Sequence, residues 1–152
     1  MHVVLVEPEI PPNTGNISRT CAVTGTELHL VEPLGFSIDD RQLKRAGLDY
    51  WRFLKLHIHE NLNSFLQTAA TENFWFLTTH GKQSYAEINY RPDDFLVFGK
   101  ETAGLPNELL AAYPDRTVRI PMGSELRSLN LANSVAIVLY EALRQQGFPG
   151  LS

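Results

Sequence analysis

Cysteine is nearly absent from this chain: Cys21 is the one thiol among 152 residues. No internal disulfide can form, so the fold must rest on packing, and the chain suits a reducing compartment, the cytoplasm. Set in an apolar helical stretch, that thiol reads as packed rather than nucleophilic. Long apolar runs are also missing. Nothing approaches the length needed to cross a bilayer, and the opening HVVLVEPEI is broken by Glu7 and Pro8 before it could serve as a secretory leader. Positive charge is scarce: 13 Lys and Arg against 17 Asp and Glu give a net charge of −4. That excludes a protein that coats nucleic acid by bulk charge, while leaving room for a local basic patch. There is no internal repeat, low-complexity tract or linker. No G-x-G-x-x-G follows the first strand and no G-x-x-x-x-G-K-[ST] occurs, so neither a dinucleotide fold nor a P-loop enzyme is indicated. His57-x-His59 lies on one face of a strand without a third ligand at usable spacing, and reads as a surface pair rather than a metal site. Ser128 has no nearby His-and-acid arrangement, so a hydrolase triad has no support.

What is present is the material of a globular domain. Apolar residues make up 43% of the chain and charged residues 20%, enough for one domain, 1–152, with a real core. Short runs rich in β-branched and aromatic residues alternate with helical patterns. Strands are expected at Val3–Val6, Leu28–Val31, Phe53–His57, Phe74–Leu77, Phe95–Phe98 and Thr117–Ile120. Helices are expected at Ile17–Val23 (closed by Gly25), Arg41–Arg45, Leu62–Ala69, Pro106–Ala112 and Leu129–Gln146. This alternation implies an α/β fold, a mostly parallel sheet with helices on both faces and ligands at the carboxyl ends of the strands. The last helix carries two apolar stripes, Leu129–Ala132–Ala136–Leu139 and Leu131–Val135–Val138–Ala142, leaving a polar strip near Asn130, Ser134 and Glu141. A surface helix normally shows one stripe. Two point to burial on two sides, either as the central helix of a monomer or, the reading a chain this small favours, at the interface of a symmetric homodimer.

Three segments could carry chemistry. In NTGNISR (Asn13–Arg19), Asn13 is suited to cap the helix, Gly15 permits close approach of a backbone or ligand, and Arg19 follows one turn or so later. In FGKETAGLP (Phe98–Pro106), Gly99 and Gly104 bracket Glu101 in a loop straight after a buried strand; its amides and carbonyls could hold a flat ligand while Glu101 fixes the loop. In RIPMGSELRSLNLANS (Arg119–Ser134), Pro121 ends a strand. A polar loop then leads to Ser128, a candidate cap, and to Asn130.

Together and in this order, these segments resemble the signature of the SPOUT superfamily of RNA methyltransferases. The likeness extends to EPEIPPNTGNISR, VEPLGF, KRAGLDYW and LTTHG, and so to nearly the whole chain. That fuller pattern is similar to the small tRNA 2′-O-methyltransferases acting on the wobble nucleotide, C or U, of the anticodon. The resemblance implies a deep trefoil knot at the C-terminal end of the sheet, which no pattern argument would propose because knots are essentially absent from ordinary folds. It also implies a dimer, S-adenosylmethionine as cofactor with S-adenosylhomocysteine as product, and tRNA anticodon stem-loop as substrate, with no metal and no membrane. Carried over by motif position, the cofactor would be held by Leu77, Gly99, Ile120, Ser128 and Leu129, with Glu101 and Asn130 supporting the loops. Arg19 matches the catalytic arginine. Families of this kind are often described with this arginine as a general base, but a guanidinium stays protonated, so positioning and charge stabilisation fit better, and phosphate or water could take the proton. Substrate contacts would fall to Asn13, Asn16, the basic residues Arg41, Lys44 and Arg45, and Tyr50 with Trp51 as stacking platforms; Tyr140 could reach across the dimer. The same fold also serves ribosomal-RNA 2′-O-methyltransferases. A non-catalytic S-adenosylmethionine- or RNA-binding protein is the alternative of another class.

Overall fold

A computed structural model describes residues 1–39, 41, 45, 48–70 and 73–152. Seven strands pair throughout in parallel as one sheet, in the order β3-β2-β1-β6-β4-β7-β5. They are β1 His2–Val6, β2 Glu27–Val31, β3 Leu56–His59, β4 Phe74–Leu77, β5 Gln83–Ser84, β6 Phe95–Phe98 and β7 Thr117–Arg119. Among the described residues, helices with described bounds are α1 Pro11–Thr24, α2 Leu62–Leu66, α3 Asn107–Ala112 and α4 Leu131–Gln145. Short 3-10 turns occupy Leu48–Phe53, Tyr85–Glu87 and Pro114–Arg116.

Successive strand residues point to opposite faces, so the sheet feeds two cores. On one face Val3, Leu5, Leu28, Leu30, Leu96 and Phe98 pack against Ile17 and Cys21 of α1 and Val135, Val138 and Leu139 of α4. On the other, Val4, Val6, Val31, Phe74, Phe76 and Val97 meet Phe65 of α2 and Leu109 of α3. Each fully buried Leu or Phe contributes about 1.5–3 kcal/mol. Helices thus cover both faces, as the continuous apolar strands require. Cys21 is fully buried, and desolvation pushes its thiol well above the usual range. It is a packed group, inert as a nucleophile.

The largest departure from the sequence reading is at α1, which begins at Pro11 rather than Ile17. Pro11 and Pro12 fit the first turn because the N–H groups they lack would have no intrahelical partner. The buried face of this turn is polar, with Asn13, Thr14 and Ser18 all inside, so no apolar stripe announces it. Asn13 is therefore not the cap: Ile10 takes the N-cap position and makes no side-chain capping bond. Gly25 ends the helix in the left-handed region at φ 67°, a conformation glycine adopts without steric cost.

Elsewhere β3 starts at Leu56, because the 3-10 turn runs through Phe53 and leaves that ring exposed. The helix α2 stops at Leu66, and β5 has too little apolar content to be read as a strand. At α4 the capping residue is Asn130, whose side chain accepts from Asn133 N–H at 3.2 Å, not Ser128. Leu139 is buried together with Val135 and Val138. The two proposed stripes therefore merge into one buried face, and Ile137 and Tyr140 remain exposed on the other side. Arg41 and Arg45 are helical and exposed; Lys44 lies outside the described residues.

Candidate active site

The carboxyl ends of β4, β6 and β7 open into one cavity of about 710 Å³. Its walls come from three strand exits: Leu77 to His80 after β4, Gly99 to Leu105 after β6, and Ile120 with Ser128, Leu129 and Asn130 after β7. Every residue assigned to the cofactor from sequence therefore lines the same space, and Asn13 joins them from α1. Reading by motif missed Arg127 and Met122, which also line it. Thr78, Thr79 and His80 line it too. They belong to LTTHG, whose position straight after a buried strand was the available signal.

The loop after β6 is held in shape by close backbone approach. Gly104 N–H donates to Lys100 C=O at 2.8 Å, and Gly104 has φ 68°. A Cβ on Gly99 would lie 2.0 Å from the Gly104 carbonyl carbon. Only a residue without a side chain fits there unless the loop moves.

Glu101 ties this loop to the start of α1. Its carboxylate accepts from Glu9 N–H at 2.8 Å, Ile10 N–H at 3.1 Å and the Asn13 side-chain amide at 3.2 Å. An anion at a helix N-terminus is favoured by the free N–H groups and the macrodipole. The exchange is reciprocal, since the Glu9 carboxylate accepts from Thr102 N–H at 3.1 Å and from its hydroxyl at 2.8 Å. Beside it Lys100 Nζ lies 2.8 Å from the Glu7 carboxylate, which holds the ammonium above its usual range. Glu7 sits at φ 51°, a strained conformation for a residue with a side chain. Neither Glu7, Glu9 nor Thr102 was singled out from sequence; their pairing depends on contacts more than 90 residues apart in the chain.

Arg19 stands apart from the cavity within this chain. It is exposed on α1; its guanidinium lies 4.6 Å from the Tyr50 ring centroid and donates to the Tyr50 hydroxyl at 3.1 Å. Tyr50 is thus engaged by Arg19 rather than standing as a free platform, and the indole of Trp51 has its N–H buried. Asn16, Arg19 and Val23 share the exposed face of α1. Tyr140 is exposed on α4, its ring 6.4 Å from that of Phe148.

The SpoU rRNA Methylase family matches residues 1–140 of this chain. A putative tRNA (cytidine(34)-2′-O)-methyltransferase of Geobacillus stearothermophilus is 54% identical, over all of this chain and 99% of that protein. The tRNA (cytidine(34)-2′-O)-methyltransferase of Escherichia coli K12 is 48% identical over 99% of this chain and 96% of its own length. Among solved structures, one concerned with the 2-OH methylation of C/U34 on tRNA superposes with a TM-score of 0.91 at 45% identity, covering 96% of this chain and 95% of that one. The SpoU methyltransferase AviRb of Streptomyces viridochromogenes, bound to AdoMet, gives a TM-score of 0.85 at 25% identity, over 96% of this chain and 57% of that one.

Proposed function

The chain belongs to the SpoU rRNA methylase family, and from that footing we propose that it methylates the ribose 2′-hydroxyl of the wobble nucleotide, C or U, of tRNA. The observation that carries this reading is the convergence of all three motif segments on one cavity, in a chain about half identical to tRNA (cytidine(34)-2′-O)-methyltransferases.

The cavity suits S-adenosylmethionine. Its volume of about 710 Å³ falls in the range of small-molecule sites. Its walls mix the apolar side chains of Leu77, Ile120 and Leu129 with the polar Ser128 and Thr78. Bound there, the cofactor supplies a methyl group on a sulfonium, already activated for transfer. Leu77, Ile120 and Leu129 would enclose its flat base, and the loop from Gly99 to Gly104 would offer backbone groups. Glu101, Asn13 and Asn130 keep that loop in register and are positioning residues. The knot that the family implies would involve the same three segments.

A ribose hydroxyl is a poor nucleophile until its proton leaves, so the chain must hold the oxygen in line and stabilise the charge it develops. We assign that work to Arg19, a permanently charged planar donor. Because Arg19 does not line the cavity of its own chain, a second copy would have to bring it there. The exposed faces of α1 (Asn16, Arg19, Val23) and α4 (Ile137, Tyr140) support such a homodimer. The contact between Arg19 and Tyr50 then serves to aim the guanidinium. Substrate would run past Asn16 and the exposed Arg41 and Arg45, with Lys44 and Tyr140 as further contacts. The exposed Phe53, under the guanidinium of Arg52 at 4.7 Å, offers one more surface for stacking.

The experiment is methyl transfer from labelled S-adenosylmethionine to total RNA, followed by separation of tRNA from ribosomal RNA and nucleoside mapping. Label in the 2′-O-methyl nucleoside at the wobble position is expected. Label confined to ribosomal RNA, or no transfer with cofactor bound, overturns the proposal.

A further inference from the structure

We propose that the entry ends of β1 and β2 form a binding site for one divalent transition-metal ion, held by His2 Nδ1, His29 Nε2 and the Glu27 carboxylate. Parallel register sets His2 beside Glu27 and His29 beside His57. The two-residue period of strands then brings His2, Glu27, His29, His57 and His59 to one face of the sheet. The cavity described above is built from the opposite ends of β4, β6 and β7, so the two sites are separate.

The three donor atoms lie within 4.8 Å of one another. His2 Nδ1 is 3.1 Å from His29 Nε2 and 3.9 Å from Glu27 Oε2. In a tetrahedral zinc site with metal–ligand bonds of about 2.0–2.1 Å, neighbouring donors stand about 3.4 Å apart. The two spacings from His2 bracket that value, and an ion would take the place of the proton shared by the two imidazoles. Three protein ligands leave a fourth position for solvent.

The surroundings have the form of a metal site. A ligating imidazole usually donates its other N–H to an acceptor that fixes the tautomer. His29 Nδ1 lies 2.9 Å from His59 Nε2, so metal on Nε2 leaves Nδ1–H pointed at an acceptor. His57 Nε2 stands 2.8 Å from Glu27 Oε2 and orients the carboxylate. The rings are also packed in place: His2 stacks on Phe95 at 4.2 Å and His29 on His57 at 4.4 Å. His29 is only 5% exposed. The competing cation, Lys55, is 3.8 Å from Glu27 with an exposed side chain that can swing into solvent.

The test uses untagged full-length protein stripped with a chelator, dialysed into chelator-free buffer and titrated with Zn²⁺ by calorimetry. One ion per chain is expected, with a thermal midpoint that rises with free zinc and visible tetrahedral bands when Co²⁺ replaces it. His2→Asn and Glu27→Gln, at partly buried positions where folding can be verified by circular dichroism, should abolish binding. His59→Gln should weaken it roughly 10–100-fold. No stoichiometric uptake by the wild type, or uptake kept by both His2→Asn and Glu27→Gln, overturns the site. Neither result bears on methyl transfer, which depends on the cavity at the other end of the sheet.

Discussion

Asn130 donates its side-chain amide to the Asn13 side-chain oxygen across 3.0 Å, although 117 residues separate them in the chain. Asn13 in turn donates to Glu101 at 3.2 Å. One relay of side chains therefore joins the first turn of α1, the loop after β6 and the N-terminus of α4, which wall the cavity together with the exit of β4. None of these side chains is free to vary alone, since each spends its donors and acceptors on the next.

Replacing Glu101 by Gln should break this relay. The carboxylate accepts from three N–H donors, and a Gln amide turns one oxygen into an NH₂ group facing them. Glu101 is half-buried, and losing one hydrogen bond to a charged group there costs at most about 1.5–3 kcal/mol. Urea unfolding should register that loss, and calorimetry with S-adenosylhomocysteine should register weaker binding. An unchanged affinity would mean that the loop keeps its shape without the relay.

Gly99→Ala is a sharper probe of the loop. The new Cβ would stand 2.0 Å from Gly104 backbone, so the loop between them must move. Loss of S-adenosylhomocysteine binding is expected in a protein that still folds, checked by near-ultraviolet circular dichroism beside the titration. Wild-type affinity would exclude this loop from the cofactor site.

Arg19→Lys keeps the charge and loses the planar fork. With the arginine stabilising developing charge, kcat should fall by about 10²-fold or more. Cofactor affinity should stay the same, because the cavity is walled without Arg19 and the guanidinium is assigned to the ribose oxygen rather than to the cofactor. Single-turnover kinetics with tRNA make the measurement, and full turnover would remove Arg19 from the mechanism.

The patch containing Arg41 and Arg45 should read out in salt. If both contact phosphate, log K for tRNA falls with log salt, and the double alanine variant should flatten that slope by roughly 1.5. Filter binding across a salt series checks it. An unchanged slope would separate these arginines from the RNA surface.

Acid should weaken the fold through Glu141. Two hydrogen bonds from Arg144 and one from Gln145 hold its carboxyl down to about 2, against 4.5 for a free glutamate. Between these values the unfolded chain binds a proton that the folded chain does not, so stability falls as pH drops through that window. Above pH 4.5 the contribution is constant. Urea midpoints from pH 6 to 3, for wild type beside Glu141→Gln, should show a shallower decline in the variant.

Much of the architecture was legible from local pattern. Phe74–Leu77 and Phe95–Phe98 read correctly as strands because both sides of a parallel strand are buried, so the run itself is apolar. Pattern failed at Pro11–Ser18, whose buried turn is filled by Asn13, Thr14 and Ser18. Their polarity leaves no apolar stripe, so the burial of this turn shows only in the folded chain.

The histidines show the same limit. His57 and His59 lacked a third ligand along the chain, yet His29 and Glu27 stand beside them on the next strand.

The sequence by itself determined the alternation of strands and helices, the motif segments and the family likeness, because those depend on neighbours a few residues apart. Tertiary structure alone decided which segments share a cavity, that Glu101 rather than a helix cap anchors α1, and that Arg19 lies outside the cavity of its own chain. Strand order and register set those relations, and they join residues as far as 117 positions apart in the chain.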